Sequence, residues 1–298
     1  GDENKSMYYF MKKSILISVL IVFPLIGYGQ EDSLLKELES LSENEQIFEL
    51  PAFKALQIGN LQSTKVVSKG DLYLVVAHRF GYLKNGITDF FGLDQANTKI
   101  QLLYGIKKNL QLGVSRDSYQ KTYSGTAKYR LLKQSNKLPL NVSLYGSIDV
   151  NSQLKKSVYP GLKQLDRFSY TAQILAARRF SEKLSLQIAP IFVRHNLQDL
   201  NYTKEQTHNQ VLLGTGGRYK LSNRFSVNFD YVYNFTRNKN SLYLNPLTIG
   251  VDIETGGHVF QLLFTNSRAS NDSSFLTETL GDWSKGQISF GFNIVRVF

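Results

Sequence analysis

Hydrophobic and polar residues alternate with a period of two along most of the chain from residue 71 onward. From Phe225 to Phe235 every odd position is apolar or aromatic, whereas the even positions are Ser, Asn, Asp, Val and Asn. Such alternation is typical of a β-strand whose two faces meet chemically different surroundings. The pattern predicts strands at residues 71–80, 97–106, 110–118, 121–133, 138–150, 166–180, 184–195, 208–221, 225–237, 247–255, 258–266 and 286–298.

The connections between these strands alternate between short and long. Short turns fall at 107–109, 134–137, 181–183, 222–224 and 255–257, and longer polar segments at 81–96, 151–165, 196–207, 238–246 and 267–285, with a brief exception near 117–120. Outer-membrane barrels have short periplasmic turns, longer extracellular loops and an even number of strands. We therefore predict an all-β fold, a closed antiparallel transmembrane barrel of about twelve strands with up-and-down topology at residues 70–298. A soluble two-sheet sandwich is the alternative.

The last predicted strand alternates cleanly and stops on an aromatic residue. Phe290, Phe292 and Phe298 resemble the C-terminal signal that the barrel-assembly machinery of Gram-negative outer membranes recognises. A barrel spans lipid only when no backbone edge is left open, so this strand is expected to close against the first. The expected location is the bacterial outer membrane, with its lipid and the assembly machinery as partners.

The first part of the chain predicts export. Lys12 and Lys13 precede an apolar run from Ser14 to Ile26, which is the layout of a secretory signal peptide at residues 11–30, with an uncleaved anchor as the alternative. Residues 31–69 follow as a periplasmic segment, with a short amphipathic helix and then an irregular stretch. This segment is either a plug or partner-docking element, or a linker packed under the barrel, and we favour the linker.

Composition narrows the function. The chain has no cysteine, which excludes disulfides, zinc-cysteine sites and thiol nucleophiles. Its 17 Tyr and 19 Phe suit the aromatic girdles of a membrane barrel. The formal net charge is +11, but Lys and Arg are scattered through turns and loops, so we expect no nucleic-acid partner.

The charged residues on the predicted inward faces are the candidate functional residues. They carry a small basic excess, which suggests a weak preference for anions if the lumen conducts. The predicted lumen-lining set is Lys99, Lys128, Arg130, Asp149, Arg179, Arg218, Asp230, Asp252 and Glu254.

Nothing in the sequence predicts an enzyme, a cofactor or a metal site. The histidines are His78, His195, His208 and His258, and none stands beside a serine in a recognisable strand-spaced pair. His195 and His208 flank one long loop, which could bring them together. The run Gly214–Gly217 lies inside an alternating strand, where glycine allows curvature or close approach in a barrel wall.

Several short motifs resemble those of a known family. They are Gly59-Asn60-Leu61-Gln62-Ser63-Thr64, His78-Arg79-Phe80-Gly81, the run from Phe91 to Asn97, Tyr104-Gly105-Ile106 and the run from Tyr129 to Gln134. The chain resembles an uncharacterised family of membrane-bound β-barrel domains of Gram-negative bacteria over most of its length. The resemblance implies the fold and the location, and it carries over no functional site.

Three functions remain open from the sequence. The first is a narrow porin-like channel for small polar solutes. The second is a non-conducting barrel that serves as scaffold or receptor for a surface partner, or for a periplasmic partner held through residues 31–69. The third is an interfacial lipid enzyme that uses His195 or His208.

Overall fold

The computed structural model describes residues 50–197, 208–255 and 258–298. Twelve strands form one closed barrel in which each strand pairs antiparallel with its neighbours and β1 pairs with β12. This confirms the predicted fold and excludes a two-sheet sandwich. The strands are β1 (Leu72–Tyr82), β2 (Ala96–Lys107), β3 (Leu110–Asp117), β4 (Thr122–Leu132), β5 (Asn141–Asn151), β6 (Phe168–Arg179), β7 (Leu184–His195), β8 (Asn209–Lys220), β9 (Phe225–Asn234), β10 (Leu247–Thr255), β11 (His258–Thr265) and β12 (Ser289–Val297).

The alternation in the sequence corresponds to an inner and an outer face. On β5, Ser143, Ser147 and Asp149 are buried toward the lumen, whereas Leu144 and Ile148 are 40% and 49% exposed on the outside. An outer surface of exposed aliphatic and aromatic side chains is what a barrel presents to lipid. Strands of 8 to 12 residues also suit the bilayer, which tilted strands cross in about 9–11 residues.

The long and short connections lie at opposite ends of the barrel, as predicted. The long-loop end carries 3₁₀ segments at Leu83–Gly92, Tyr119–Lys121, Gln164–Arg167 and Trp283–Lys285, together with the helix α1 (Asp272–Thr277). Helix α1 and the 3₁₀ segments are short. No helix in the described part of the chain is long and apolar enough to cross a membrane.

The seam between β1 and β12 closes the barrel. Tyr73 pairs with Val297 and His78 with Phe292, and the register shifts near Arg79. Outward-facing rings cover this seam, since the Phe292 ring stacks on the ring of His78 with centroids 5.2 Å apart. The terminal strand therefore closes the sheet, while the role of Phe290, Phe292 and Phe298 as an assembly signal stays a prediction.

Residues 50–69 turn back on themselves inside the barrel, and we call them the luminal hairpin. Gln57 and Gln62 form an isolated antiparallel bridge, and Ile58 N–H donates to the Leu61 carbonyl at 2.8 Å. Both ends of the hairpin lie at the short-turn end, where Leu50 N–H donates to the carbonyl of Gln134. Residues 50–69 therefore lie within the barrel and not below it, because polar side chains of the inner wall bind the backbone of an irregular segment.

The hairpin belongs to the same compact unit as the barrel. The predicted signal peptide at 11–30 and the predicted short helix of the 31–69 segment lie outside the described residues.

Candidate functional site

The tip of the luminal hairpin is held by residues of five strands. Asn60 N–H donates to Asp230 Oδ2 at 2.8 Å, and Asn60 Nδ2 donates to the hydroxyls of Thr248 and Thr265. Arg79 Nη2 in turn donates to Asn60 Oδ1 at 2.7 Å and to Asn293 Oδ1 at 2.9 Å. Because these partners come from β1, β9, β10, β11 and β12, the tip sits within the lumen.

Lys128 fastens the middle of the hairpin. Its Nζ lies 3.2, 2.9 and 3.2 Å from the carbonyl oxygens of Leu56, Ser63 and Lys65. An ammonium has three donors, so these carbonyls use all of them. Other inner-wall side chains donate to further hairpin carbonyls: Ser143 to Thr64, Gln187 to Gln62, Gln261 to Ile58 and Asn293 to Gly59.

Glycines in the wall make room for the hairpin. A Cβ at Gly214 would lie 2.9 Å from Leu61 Cδ2, and a Cβ at Gly216 would lie 2.7 Å from Ile58 Cδ1. Both distances are shorter than real Cβ contacts allow. The prediction that this run permits close approach in the wall is therefore confirmed, and the segment that approaches is the hairpin.

The connection between β11 and β12, residues 266–288, folds inward from the long-loop end, and we call it the inserted loop. Asp117 Oδ2 accepts hydrogen bonds from Ser270 N–H at 2.9 Å and from Asn271 N–H at 2.8 Å. Lys99 Nζ donates to the Ser270 carbonyl at 3.0 Å, and Asp149 Oδ2 accepts from Ser273 N–H at 3.1 Å. The wall therefore anchors the loop backbone.

The hairpin and the inserted loop meet inside the barrel. Gln62 Nε2 donates to Asp272 Oδ1 at 3.2 Å. Leu61 also joins a buried apolar cluster that contains Phe275 and Leu276 of the loop, with wall residues that include Leu175 and Leu212. Polar and apolar contacts thus run continuously from one insert to the other.

The structure places the predicted lumen-lining residues in two zones. Lys99, Lys128, Asp149, Asp230 and Asp252 are at most 3% exposed inside the barrel. The partly buried remainder lies toward the short-turn end: Arg218 forms ion pairs with Asp252 and Glu254, Arg130 contacts Asn109 and the carbonyl of Lys108, and Arg179 contacts the carbonyl of Ser181.

The charge balance of the lumen differs from the predicted one. Among described residues the buried cations are Arg79, Lys99 and Lys128, and the buried carboxylates are Asp117, Asp149, Asp230, Asp252 and Asp272. Among these fully buried side chains the carboxylates outnumber the cations, five to three, while the slightly more exposed Arg218 pairs with Asp252 and Glu254. The predicted basic excess is therefore not found among the fully buried side chains, because Arg130 and Arg179 lie at the rim and the inward count left out Asp117 and Asp272.

Sequence reasoning missed Asn60, Arg79 and Asp117. Arg79 lies on β1 between Ala77 and Gly81, both buried, so the parity of that strand could have identified it as inward. Asn60 belongs to an irregular segment without periodicity, and no local signal could have placed it at the centre of a barrel.

Two of the histidines whose side chains the structure describes, His195 and His208, lie close together at the long-loop end. His195 Nδ1 lies 2.8 Å from Ser169 Oγ and its Nε2 lies 2.8 Å from Thr277 Oγ1. The sequence holds no strand-spaced histidine–serine pair, and Ser169 comes beside His195 as its cross-strand partner, although the two are distant in sequence. His208 Nδ1 contacts the His195 carbonyl at 2.8 Å, as the loop topology suggested. His195 shares the inward parity of Val193, so it faces the lumen and not lipid.

Comparison with solved structures finds other outer-membrane proteins at low identity. The NanC porin is 8% identical with a TM-score of 0.46, and the match covers 76% of this chain and 98% of that chain. An outer membrane channel from Pseudomonas putida F1 is 11% identical with a TM-score of 0.43, covering 78% and 97%. The Acinetobacter baumannii protein Omp33 is 10% identical with a TM-score of 0.40, covering 76% and 98%. No curated protein matches the chain.

One protein-family model matches most of the chain. The model of the membrane bound beta barrel domain family (DUF5777) matches residues 53–298. The match spans the whole barrel and nearly all of the described luminal hairpin. The protein is thus an outer-membrane β-barrel, and the chain belongs to the membrane bound beta barrel domain family.

Proposed function

We propose that the protein is a non-conducting barrel in its resting state and serves as a scaffold or receptor for a periplasmic or surface partner. The observation that supports this proposal is the contact between Gln62 of the hairpin and Asp272 of the inserted loop, which joins the two inserts across the lumen. A water-filled pore needs a continuous polar path free of protein, and the buried apolar cluster around Leu61, inside the barrel, supports a closed lumen.

The energetics favour retention of the hairpin. Each hydrogen bond between the wall and the hairpin contributes about 1 kcal/mol net, and bonds that involve charged groups such as Lys128 and Arg79 contribute about 1.5–3 kcal/mol. Several such bonds together keep the hairpin in the lumen nearly all of the time. Spontaneous opening is therefore expected to be rare.

The end of the barrel at which the hairpin enters indicates the side of the membrane on which a partner would bind. Leu50 pairs with Gln134 and Gly70 N–H donates to the carbonyl of Gly105, so the hairpin enters and leaves at the short-turn end. This end faces the periplasm in outer-membrane barrels. A periplasmic partner that binds the chain before residue 50 could transmit its binding to the lumen through the hairpin.

The second candidate is a channel for small polar solutes that conducts after the hairpin leaves. It is favoured by the polar inner wall, which includes Gln101, Gln173 and Gln261 and would suit water once the hairpin is absent. Twelve strands also give a wider interior than the eight that side chains alone can fill.

Planar-bilayer conductance of the purified protein tests the proposal. We expect the native protein to be electrically silent and Lys128→Ala to give intermittent conductance, because three hairpin carbonyls lose the hydrogen bond from the ammonium. A stable open current from the native protein would overturn the proposal and favour the channel.

A disulfide can show that any such current comes from hairpin movement. An ideal Cβ at Gly59 lies 3.4 Å from Thr248 Cβ, close to the Cβ separation of disulfides, and 2.8 Å from Asp230 Oδ2, so this carboxylate has to shift. The chain has no other cysteine, so Gly59→Cys with Thr248→Cys gives one defined cross-link. In the Lys128→Ala background, oxidation should abolish the current and reduction should restore it, with each single cysteine variant as the control.

A further inference from the structure

An apolar groove of about 790 Å³ crosses the outer face of the barrel, mainly on strands β2 to β6, and we call it the lipid-facing groove. Large outward-facing side chains line it, among them Leu102, Tyr104, Leu112, Val114, Ile148 and Tyr170. Between them lie small outward-facing residues, Gly125, Ala127 and Gly146. Ala127 pairs in register with Leu112 on one side and with Gly146 on the other, so the small residues are adjacent across two strands.

The groove does not follow from glycine alone. A Cβ at Gly125 would have nothing within 4 Å, and a Cβ at Gly146 would meet only the carbonyl oxygen of Thr171, at 3.6 Å. Gly217 has the outward parity on β8, but a Cβ there would lie 2.7 Å from Leu186 Cδ2 and 2.9 Å from Phe229 Cε1. Neighbouring side chains therefore cover the outer face at Gly217 and leave it open at Gly125.

A cation stands at the long-loop end of the groove. Arg116 is exposed on the outer face of β3, and its guanidinium carbon lies 5.6 Å from the centroid of the Tyr123 ring. Its guanidinium forms no hydrogen bond or ion pair with any residue that the structure describes. Arg116 pairs with Tyr123 and Val114 pairs with Gly125, so the two pairs are about 7 Å apart along the strands.

The two connections beside Arg116 add positive charge. The connection between β3 and β4 touches the one between β5 and β6, since Ser152 Oγ donates to the Lys121 carbonyl at 2.6 Å and Asn151 Nδ2 donates to Gln120 Oε1 at 2.9 Å. We call Arg116 and the exposed lysines of these connections the basic rim. The lysines are Lys121, Lys155, Lys156 and Lys163.

Carboxylates do not balance the basic rim. Asp117 and Asp149, on the adjoining strands, are buried in the lumen, and Asp166 accepts a hydrogen bond from the backbone N–H of Lys163 at 2.7 Å. The long-loop end of an outer-membrane barrel faces the exterior, so the basic rim lies beside the headgroups of the outer leaflet. Clusters of Lys and Arg at a membrane surface attract anionic headgroups.

We propose that the lipid-facing groove binds a phosphate-bearing lipid of the outer leaflet, with an acyl chain over Gly125 and Gly146 and a phosphate at Arg116. A guanidinium binds phosphate through two parallel N–H···O bonds, which a lysine cannot form. A second copy of the chain fits this face less well, because a two-fold interface would place one basic rim against another. The site lies on the outer wall, so it does not rest on the proposed closure of the lumen.

Native mass spectrometry of the full chain in detergent tests the proposal. Titration with lipid A, a phosphorylated lipid, should give one saturable lipid adduct. The same glycolipid after enzymatic removal of its phosphates should bind at least tenfold more weakly, because its acyl chains still fit the groove but nothing on it pairs with Arg116.

Two variants separate the contribution of the charge from that of the groove. Arg116→Glu should weaken the binding of lipid A at least tenfold and leave the binding of the dephosphorylated lipid unchanged. Gly125→Leu should weaken the binding of both lipids at least fivefold, because the new side chain occupies open space in the groove. Lys239→Glu, at an exposed cation after β9, and Thr215→Leu, on the outer face of β8, are the matched controls. Both should bind lipid A like the native protein.

Three outcomes would overturn the proposal. Equal binding of the two lipids would mean that the basic rim does not recognise phosphate. Native affinity for lipid A in both Arg116→Glu and Gly125→Leu would place the lipid elsewhere on the barrel. Dimers that Gly125→Leu abolishes would show that a second copy of the chain covers the groove. If one variant fails to assemble, the other decides together with its control.

Discussion

The luminal hairpin and the inserted loop fill the same lumen but are held by opposite chemistry. The wall holds the hairpin mainly by donating to its carbonyl oxygens, as Lys128 and Gln187 do. It holds the loop mainly by accepting from its backbone N–H groups, as Asp117 and Asp149 do. The comparison shows a bias in the inner wall, with more donors opposite the hairpin and more carboxylates opposite the loop. Asp230, which accepts from the hairpin tip, and Lys99, which donates to the loop, are the exceptions.

Because different wall residues hold the luminal hairpin and the inserted loop, a substitution can weaken the contacts of one insert without removing those of the other. The hairpin enters from the short-turn end and the loop from the other. The contacts described between them are one hydrogen bond, from Gln62 to Asp272, and the apolar cluster that Leu61 shares with the loop. A change on one side should therefore leave the other insert largely in place. The following variants test that independence.

Lys128→Ala should have the largest effect. It removes a charged donor from three hairpin carbonyls, of which Leu56 keeps a second donor in Ser63 N–H, and we expect a loss of about 3–5 kcal/mol in the free energy of unfolding. Urea unfolding monitored by tryptophan fluorescence measures the loss. Lys137→Ala in an exposed turn is the control and should change stability little. Equal stability of the two variants would contradict the assignment of Lys128 as the main anchor.

Asp117→Ala should release the inserted loop and spare the hairpin. The N–H groups of Ser270 and Asn271 lose their acceptor, at a cost of about 2–3 kcal/mol. Limited trypsin digestion should become faster at Arg268 and Lys285, which flank the anchored stretch. Asp94→Ala, at an exposed position, should digest like the native protein. Faster cleavage within residues 50–69 instead would show that the two inserts are coupled.

Gly216→Ala should displace the hairpin by a smaller amount. The new Cβ would lie 2.7 Å from Ile58 Cδ1, and because this atom ends a flexible side chain, the expected cost is about 1–2 kcal/mol. Gly125→Ala is the matched control, since a Cβ at Gly125 meets open space on the outer face. Thermal unfolding of both variants in the same detergent gives the comparison. A lower Tm for Gly125→Ala than for Gly216→Ala would contradict it.

Arg130→Ala should have the smallest effect. Arg130 contacts Asn109 and the Lys108 carbonyl at the short-turn rim, where water can replace these bonds at a cost of about 0.5 kcal/mol. Tm and bilayer behaviour should stay close to those of the native protein. A current that appears in Arg130→Ala would show that the rim takes part in closure.

Period-two alternation was enough to predict the barrel because its cause is local. Each strand has one face toward lipid and one toward the lumen, so Ile148 and Asp149 differ in polarity whatever fills the interior. Strand number, strand order and the two unequal ends followed from this alternation and from connection lengths. Lys128, Asp149 and Asp230 could be assigned to the inner face on the same basis.

What fills the interior was decided by the tertiary structure alone. A polar inner face is equally compatible with water and with a polypeptide, because Lys128 can donate to either. The hairpin has no periodic pattern, and its partners at Arg79, Asp230 and Asn293 come from strands far apart in sequence. Only closure of the barrel brings them around Asn60, since a contact among distant segments leaves no regular trace in any one of them.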